Sequence, residues 1–98
     1  PNYNFEPSLQ VRRGDLALTV SRVLSLIEAL KPEVGKKWQG ARVTANDVAP
    51  AHLSYPAVSV AVASGVMPLA GGNFELLRVV TGAEAIDVIG RLEAIARQ

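Results

Sequence analysis

The chain repeats itself at an offset of 69 residues, and this repeat limits its fold more than any other feature. Asn4-Phe5-Glu6, followed by Val11-Arg12-Arg13-Gly14-Asp15, recurs as Asn73-Phe74-Glu75, followed by Val80-Thr81-Gly82-Ala83-Glu84. In the same register Asp15 meets Glu84, Val20 meets Ile89, Arg22 meets Arg91 and Val23 meets Leu92. Turn, acidic residue and apolar spacing all recur together. Such a unit is a piece of supersecondary structure that buries its apolar face against a neighbour of the same kind.

A helix signal follows each turn. Leu16, Val20, Val23, Ile27 and Leu30 recur at spacings of four and three, the period of an amphipathic helix, and Pro32 ends the run. The second copy places Ala85, Val88 or Ile89, Leu92 and Ile95 in the same way. Thr81-x-x-Glu84 predicts a capping box at its start, in which Thr81 Oγ1 accepts the Glu84 N–H and the Glu84 carboxylate accepts the Thr81 N–H. In the first copy Arg12 takes the cap position, a poorer choice, which leaves Asp15 to serve the helix N-terminus and its dipole.

Residues 31–47 hold Pro32, Gly35, Gly40, four of the ten basic residues and the only tryptophan, Trp38, and read as a long exposed connection. Ser54-Tyr55-Pro56 could start a short helix that Ala57–Ala63 fills and Gly65 ends. Val58, Val60 and Val62 alternate with small residues, which by period alone favours a strand, so both readings stay open.

Apolar residues make up 49% of the chain and aromatics only 5%, so the core must be Ala, Val, Leu and Ile at close range, as in tightly packed short helices. A length of 98 residues fits one domain. The formal charge of +1 argues against nucleic acid as a partner, which needs a broad basic field. The absence of Cys removes disulfides, thiolate nucleophiles and zinc-finger ligand sets. The longest apolar stretch, Ala57 to Ala70, is broken by Ser59, Ser64, Gly65 and Pro68 and is too short for a bilayer. With no signal-peptide pattern at its start, the sequence reads as a mature protein or an excised fragment.

Asp47-Val48, His52-Leu53-Ser54-Tyr55-Pro56-Ala57-Val58, Gly65-Val66-Met67, Gly72-Asn73-Phe74 and Val80-Thr81-Gly82-Ala83-Glu84-Ala85 together resemble one S-layer homology (SLH) repeat. That family has an Asp-Val entry, a His-Trp-Ala helix start, a Gly-Leu/Ile-Met end, a Gly-Thr-Phe loop and a Thr-Arg-Ala-Glu start to the second helix. Asn4 to Leu30 likewise resembles the loop and second helix of a preceding repeat. The resemblance implies an all-α fold, a small helical bundle of SLH-like helix-loop-helix repeats. It divides residues 1–98 into 1–31, a connection at 32–46, and a second repeat at 47–98. It tips Ser54 to Ser64 towards helix. It further implies a non-catalytic module of a secreted or cell-surface bacterial protein, extracellular or in the cell envelope, that anchors to cell-wall polysaccharide or peptidoglycan, with an acidic cell-wall glycan as a possible partner. Other domains or subunits would complete the bundle.

Carried over by position, Arg13 matches the family's motif arginine, whose guanidinium fork suits an acidic sugar substituent. Asp15, Thr81 and Glu84 stand at the neighbouring motif positions. The second copy has Gly82 in place of the arginine, and Leu53 stands where the family has Trp, which removes a charge and a stacking surface.

Arg13 with Asp15 reads either as recognition of an anionic glycan or as a solvated pair beside a helix start. Trp38 beside Lys36 and Lys37 could form a carbohydrate or anion platform, or could cover the edge of the core. Arg13-Gly14-Asp15 also spells an adhesion tripeptide, whose display needs a flexible loop rather than a helix start. His52, the only histidine, has no ligand set at metal spacing and reads as packing or capping locally. No phosphate loop or nucleophile elbow is present, so the sequence predicts no enzyme, no catalytic residues and no cofactor. The alternative to wall anchoring is a degenerate repeat that serves as a structural or protein-interaction scaffold.

Overall fold

The computed structural model describes residues 10–38 and 40–98, and it has an all-α fold. Helix α1 spans Arg13–Leu30, α2 Pro32–Gly35, α3 Tyr55–Ala63 and α4 Gly82–Ala96, with a 3-10 turn at Lys36–Trp38 directly after α2. Asn4-Phe5-Glu6, the opening of the first copy, lies outside the described residues.

The repeat register is visible in the helix starts. α1 begins at Arg13 and α4 at Gly82, 69 residues apart, each after an extended cap residue, Arg12 and Thr81. At α4 both halves of the capping box form: Glu84 N–H donates to Thr81 Oγ1 at 3.0 Å, and Thr81 N–H donates to Glu84 Oε1 at 3.3 Å. At α1 only the return half can form, because an arginine side chain has no acceptor. There Arg12 N–H donates to Asp15 Oδ2 at 3.4 Å, while the Arg12 guanidinium donates to the Leu77 carbonyl at 2.6 Å.

The two entry segments run antiparallel and meet around the equivalent residues Val11 and Val80. Val80 N–H donates to the Val11 carbonyl at 2.8 Å, and Arg12 bridges Val79. The pairing continues into α1, where Arg13 N–H donates to the Arg78 carbonyl at 2.9 Å and Gly14 N–H to the Leu76 carbonyl at 2.8 Å. Two of the first-turn N–H groups that an α-helix leaves unmet, those of Arg13 and Gly14, are thus satisfied by the other copy. Gly14 permits the approach, since a Cβ there would sit 3.2 Å from both the Leu76 carbonyl oxygen and its Cδ2.

α3 packs along α1, and α4 makes its main helix contact with α1. The core gathers Ala17, Val20, Leu24 and Ile27 of α1, Tyr55, Ala57, Val58 and Ala61 of α3, Val66, Met67 and Phe74 from the following loop, and Val88 and Ile95 of α4. Two sequence expectations shift here. The buried stripe of α1 is turned by about one position from the predicted one: Leu16 and Val23 are only partly buried and Leu30 is exposed, while Ala17 and Leu24 take the inner places. On α4 the choice between Val88 and Ile89 falls to Val88.

The connection at 31–47 also differs from an exposed loop. Pro32 ends α1 as expected, but it opens α2 in the same step, since proline fits the first helical turn. Val34 is buried, and Trp38, Val43 and Ala45 pack against the core. Tyr55 Oη donates to the Val43 carbonyl at 2.7 Å, which ties the connection to the start of α3. Among the described residues no helix is long and apolar enough to cross a membrane.

Candidate functional site

Arg13, the first residue of α1, is the centre of the arrangement. Although charged, it is only 2% exposed. Its Nε donates to the Phe74 carbonyl at 2.6 Å, Nη2 donates to the Pro68 carbonyl at 2.7 Å, and Nη1 donates to Glu84 Oε2. The guanidinium also lies over the Phe74 ring, 4.4 Å from its centroid. Phe74 and Glu84 belong to the second copy, and Pro68 lies in the loop that leads into it. The motif arginine of the first copy is therefore a clasp that reads the loop and second helix of the next one. A desolvated guanidinium is tolerable because its donors meet a carboxylate, two carbonyls and an aromatic face.

Glu84 is the other half of the clasp. Its Oε2 accepts from Arg13 and from Arg78 Nη2 at 2.8 Å, and its Oε1 closes the α4 capping box. Arg78 in turn donates from Nε to Glu75 Oε1 at 3.0 Å. Burial works to raise the Glu84 pKa, but the bonds from Arg13, the Thr81 N–H and Arg78 outweigh it and hold the carboxyl below its ordinary value.

Asp47, from the Asp-Val entry, fixes the loop that carries Phe74. Its Oδ1 accepts the Phe74 N–H at 2.8 Å and its Oδ2 the Glu75 N–H at 2.7 Å. Glu75 itself takes a left-handed conformation, φ 63°, uncommon outside glycine, which turns the chain directly after the two N–H groups held by Asp47. Burial again works to raise this pKa, and the two backbone bonds together with the Arg13 charge lower it overall.

A depressed folded-state pKa stabilises the fold above the unfolded-state value and ceases to do so as the pH falls through the folded value. Both carboxylates act in this sense. The urea midpoint is therefore expected to hold steady at neutral pH and to fall as the pH drops below about 4. Asp47→Asn and Glu84→Gln should each lower the neutral-pH midpoint and flatten that acid dependence, as followed by circular dichroism.

Around the clasp lies an open cleft of about 340 Å³, lined by Arg13, Arg78, Thr81, Glu84 and Arg91, with Val66, Met67 and Pro68 forming part of its wall. Arg91 reaches towards the carbonyls of Gly65 and Val66 at 3.3 and 3.4 Å. The cleft thus brings together three of the sequence candidates, Arg13, Thr81 and Glu84, but it does not gather the others. Asp15 is exposed at the α1 start and serves the cap. Trp38 lines a separate groove between α1 and α3, with Ser21, Leu24, Ser25, Glu28 and Val60. The Arg13-Gly14-Asp15 tripeptide presents no free arginine, because its guanidinium is turned inward. Of the two readings of His52, the structure shows the local cap: the side chain is exposed and its Nδ1 accepts the Ser54 N–H at 2.9 Å.

The site also holds residues that the sequence did not single out. Arg91 carried a faint signal, being the repeat partner of Arg22. Arg78 carried none, because only the turn at Glu75 brings it back to Glu84.

No known family model matches the chain, and neither the curated proteins nor the solved structures contain a match to it.

Proposed function

We propose that this chain is a non-catalytic, SLH-like module of a secreted or cell-surface bacterial protein, and that it anchors to an acidic cell-wall glycan. The observation that carries this reading is the cleft where the start of α1 meets the second copy, ringed by Arg13, Arg78 and Arg91. Arg13 is buried, so the contacts to a ligand fall to Arg78 and Arg91, which are exposed although Arg78 also pairs with Glu75 and Glu84. A volume of about 340 Å³ is at the small end for ligand sites and suits one or two sugar units. Planar guanidinium forks match a carboxylate substituent.

The test is co-sedimentation of the chain with purified cell-wall sacculi, with and without their acidic secondary polymer. Arg78→Ala combined with Arg91→Ala serves as the variant, since neither residue is buried. The reading expects polymer-dependent binding that weakens at least about tenfold in the double variant, the effect of losing charge-assisted contacts. Absence of binding, or binding indifferent to the variant, removes the anchoring reading.

A second reading, a repeat kept as a scaffold against other domains or subunits, is favoured by a different observation. Leu26, Leu30, Leu53, Leu77, Ile86 and Ile89 are all more than half exposed, a large apolar display for a chain of this size.

A further inference from the structure

We infer that the groove between α1 and α3, walled by Trp38, is a second binding site, and that it takes a small organic cation of the alkylammonium class. The groove holds about 190 Å³ and shares no lining residue with the arginine-ringed cleft. Its polar side comes from one face of α1, where Ser21, Ser25 and Glu28 follow one another at helical spacings of four and three. Its floor is apolar, formed by the buried Leu24 of α1 and by Val60 of α3. Trp38, half-buried against the core, adds an aromatic wall, and Gly40 turns the chain at the edge with a φ of 73°.

The character of the ligand follows from charge. Glu28 is the charged residue of the lining, and it forms no ion pair among the described residues. The cations next to it in sequence are engaged elsewhere. Lys31 Nζ donates to the Ala96 carbonyl and Lys37 Nζ to Gln98 Oε1 at 3.2 Å, while Lys36 is no part of the lining. An anion would therefore meet a carboxylate and no cation, whereas a positive group meets a complementary charge. The indole face adds to this, since its quadrupole attracts a cation more strongly than the other aromatic rings do. An alkylammonium also carries apolar surface, which Leu24 and Val60 receive while the charge rests between the indole and the carboxylate. The volume lies below the roughly 300 Å³ at which sites for drug-sized ligands begin, so the groove suits a single head group.

The test is a titration of the 98-residue chain with choline at constant ionic strength, followed by nuclear magnetic resonance. Trp38 is the only tryptophan, so its indole N–H gives a single signal, and the Val60 amide reports the α3 side of the groove. Saturable shifts of both are expected in the millimolar range, with the Arg91 amide of the other cleft unmoved. The uncharged isostere of choline, in which a tert-butyl group replaces the trimethylammonium, should bind at least about tenfold more weakly. Glu28→Gln, with its helical circular dichroism unchanged, should weaken choline at least about threefold. Absence of a saturable shift overturns the site. Equal binding of choline and its isostere, or indifference to Glu28→Gln, overturns the cation, and so does glucose binding more tightly than choline. No wall polymer enters this experiment, so its failure is separate from failure of the anchoring reading.

Discussion

Replacing Arg13 with alanine is expected to cost about 3–5 kcal/mol of folding stability, the usual effect of removing one partner from a buried charge pair. The loss is large because the side chain does four things at once. It meets Glu84, donates to the Phe74 and Pro68 carbonyls, and covers the Phe74 ring. Without it, two carbonyls lose their partners and Glu84 keeps only Arg78 as a cation. A domain of this size has about 5–15 kcal/mol in total, so the variant should be marginal at room temperature by urea unfolding. Arg13→Lys should recover only part of the loss, because an ammonium cannot address three acceptors in a planar fork.

Phe74→Ala is the second large effect, expected at about 3–5 kcal/mol. The ring is completely buried and is among the largest such side chains of the core. Its removal leaves a cavity under the guanidinium as well as lost apolar burial. Phe74→Leu keeps most of the volume and should cost much less, but it gives up the cation–π contact. Because Phe74 and Arg13 touch, the two alanine changes should not add: the double variant is expected to be less destabilised than the sum of the singles, as read from urea midpoints.

Much of this was legible in the sequence because the repeat is a local signal twice over. The starts of α1 and α4, the Thr81–Glu84 capping box and the Pro32 break all follow from residue types at fixed spacing, and the helices begin there. α3 was ambiguous for a physical reason. It is buried on most of its circumference, so its apolar residues have no helical period for a reader to find, and alternating valines then imitate a strand. The position of the α1 stripe could not be read either, since both Leu16 and Ala17 are apolar and only the packing of α3 decides between them.

The candidate site was half legible. Arg13, Thr81 and Glu84 were visible as motif positions, and they do share a cleft. What the sequence could not show is the direction in which Arg13 points. Its inward turn depends on carbonyls at Pro68 and Phe74, which lie 55 and 61 residues away, and the loop around Phe74 is fixed by Asp47 through the Phe74 and Glu75 N–H groups. Trp38 failed to join the site for a similar reason: the connection folds into α2 and the 3-10 turn and packs it against α1 and α3 instead.

The central claim is that the first copy grips the second through Arg13 and Glu84, leaving Arg78 and Arg91 to face outward. A double-mutant cycle between Arg13→Met and Glu84→Gln, measured by urea unfolding at pH 7, tests it most directly. Contact within a shared hydrogen-bond network predicts a coupling of about 1–3 kcal/mol. A coupling near zero, with Arg13→Met as stable as the native chain, would contradict it.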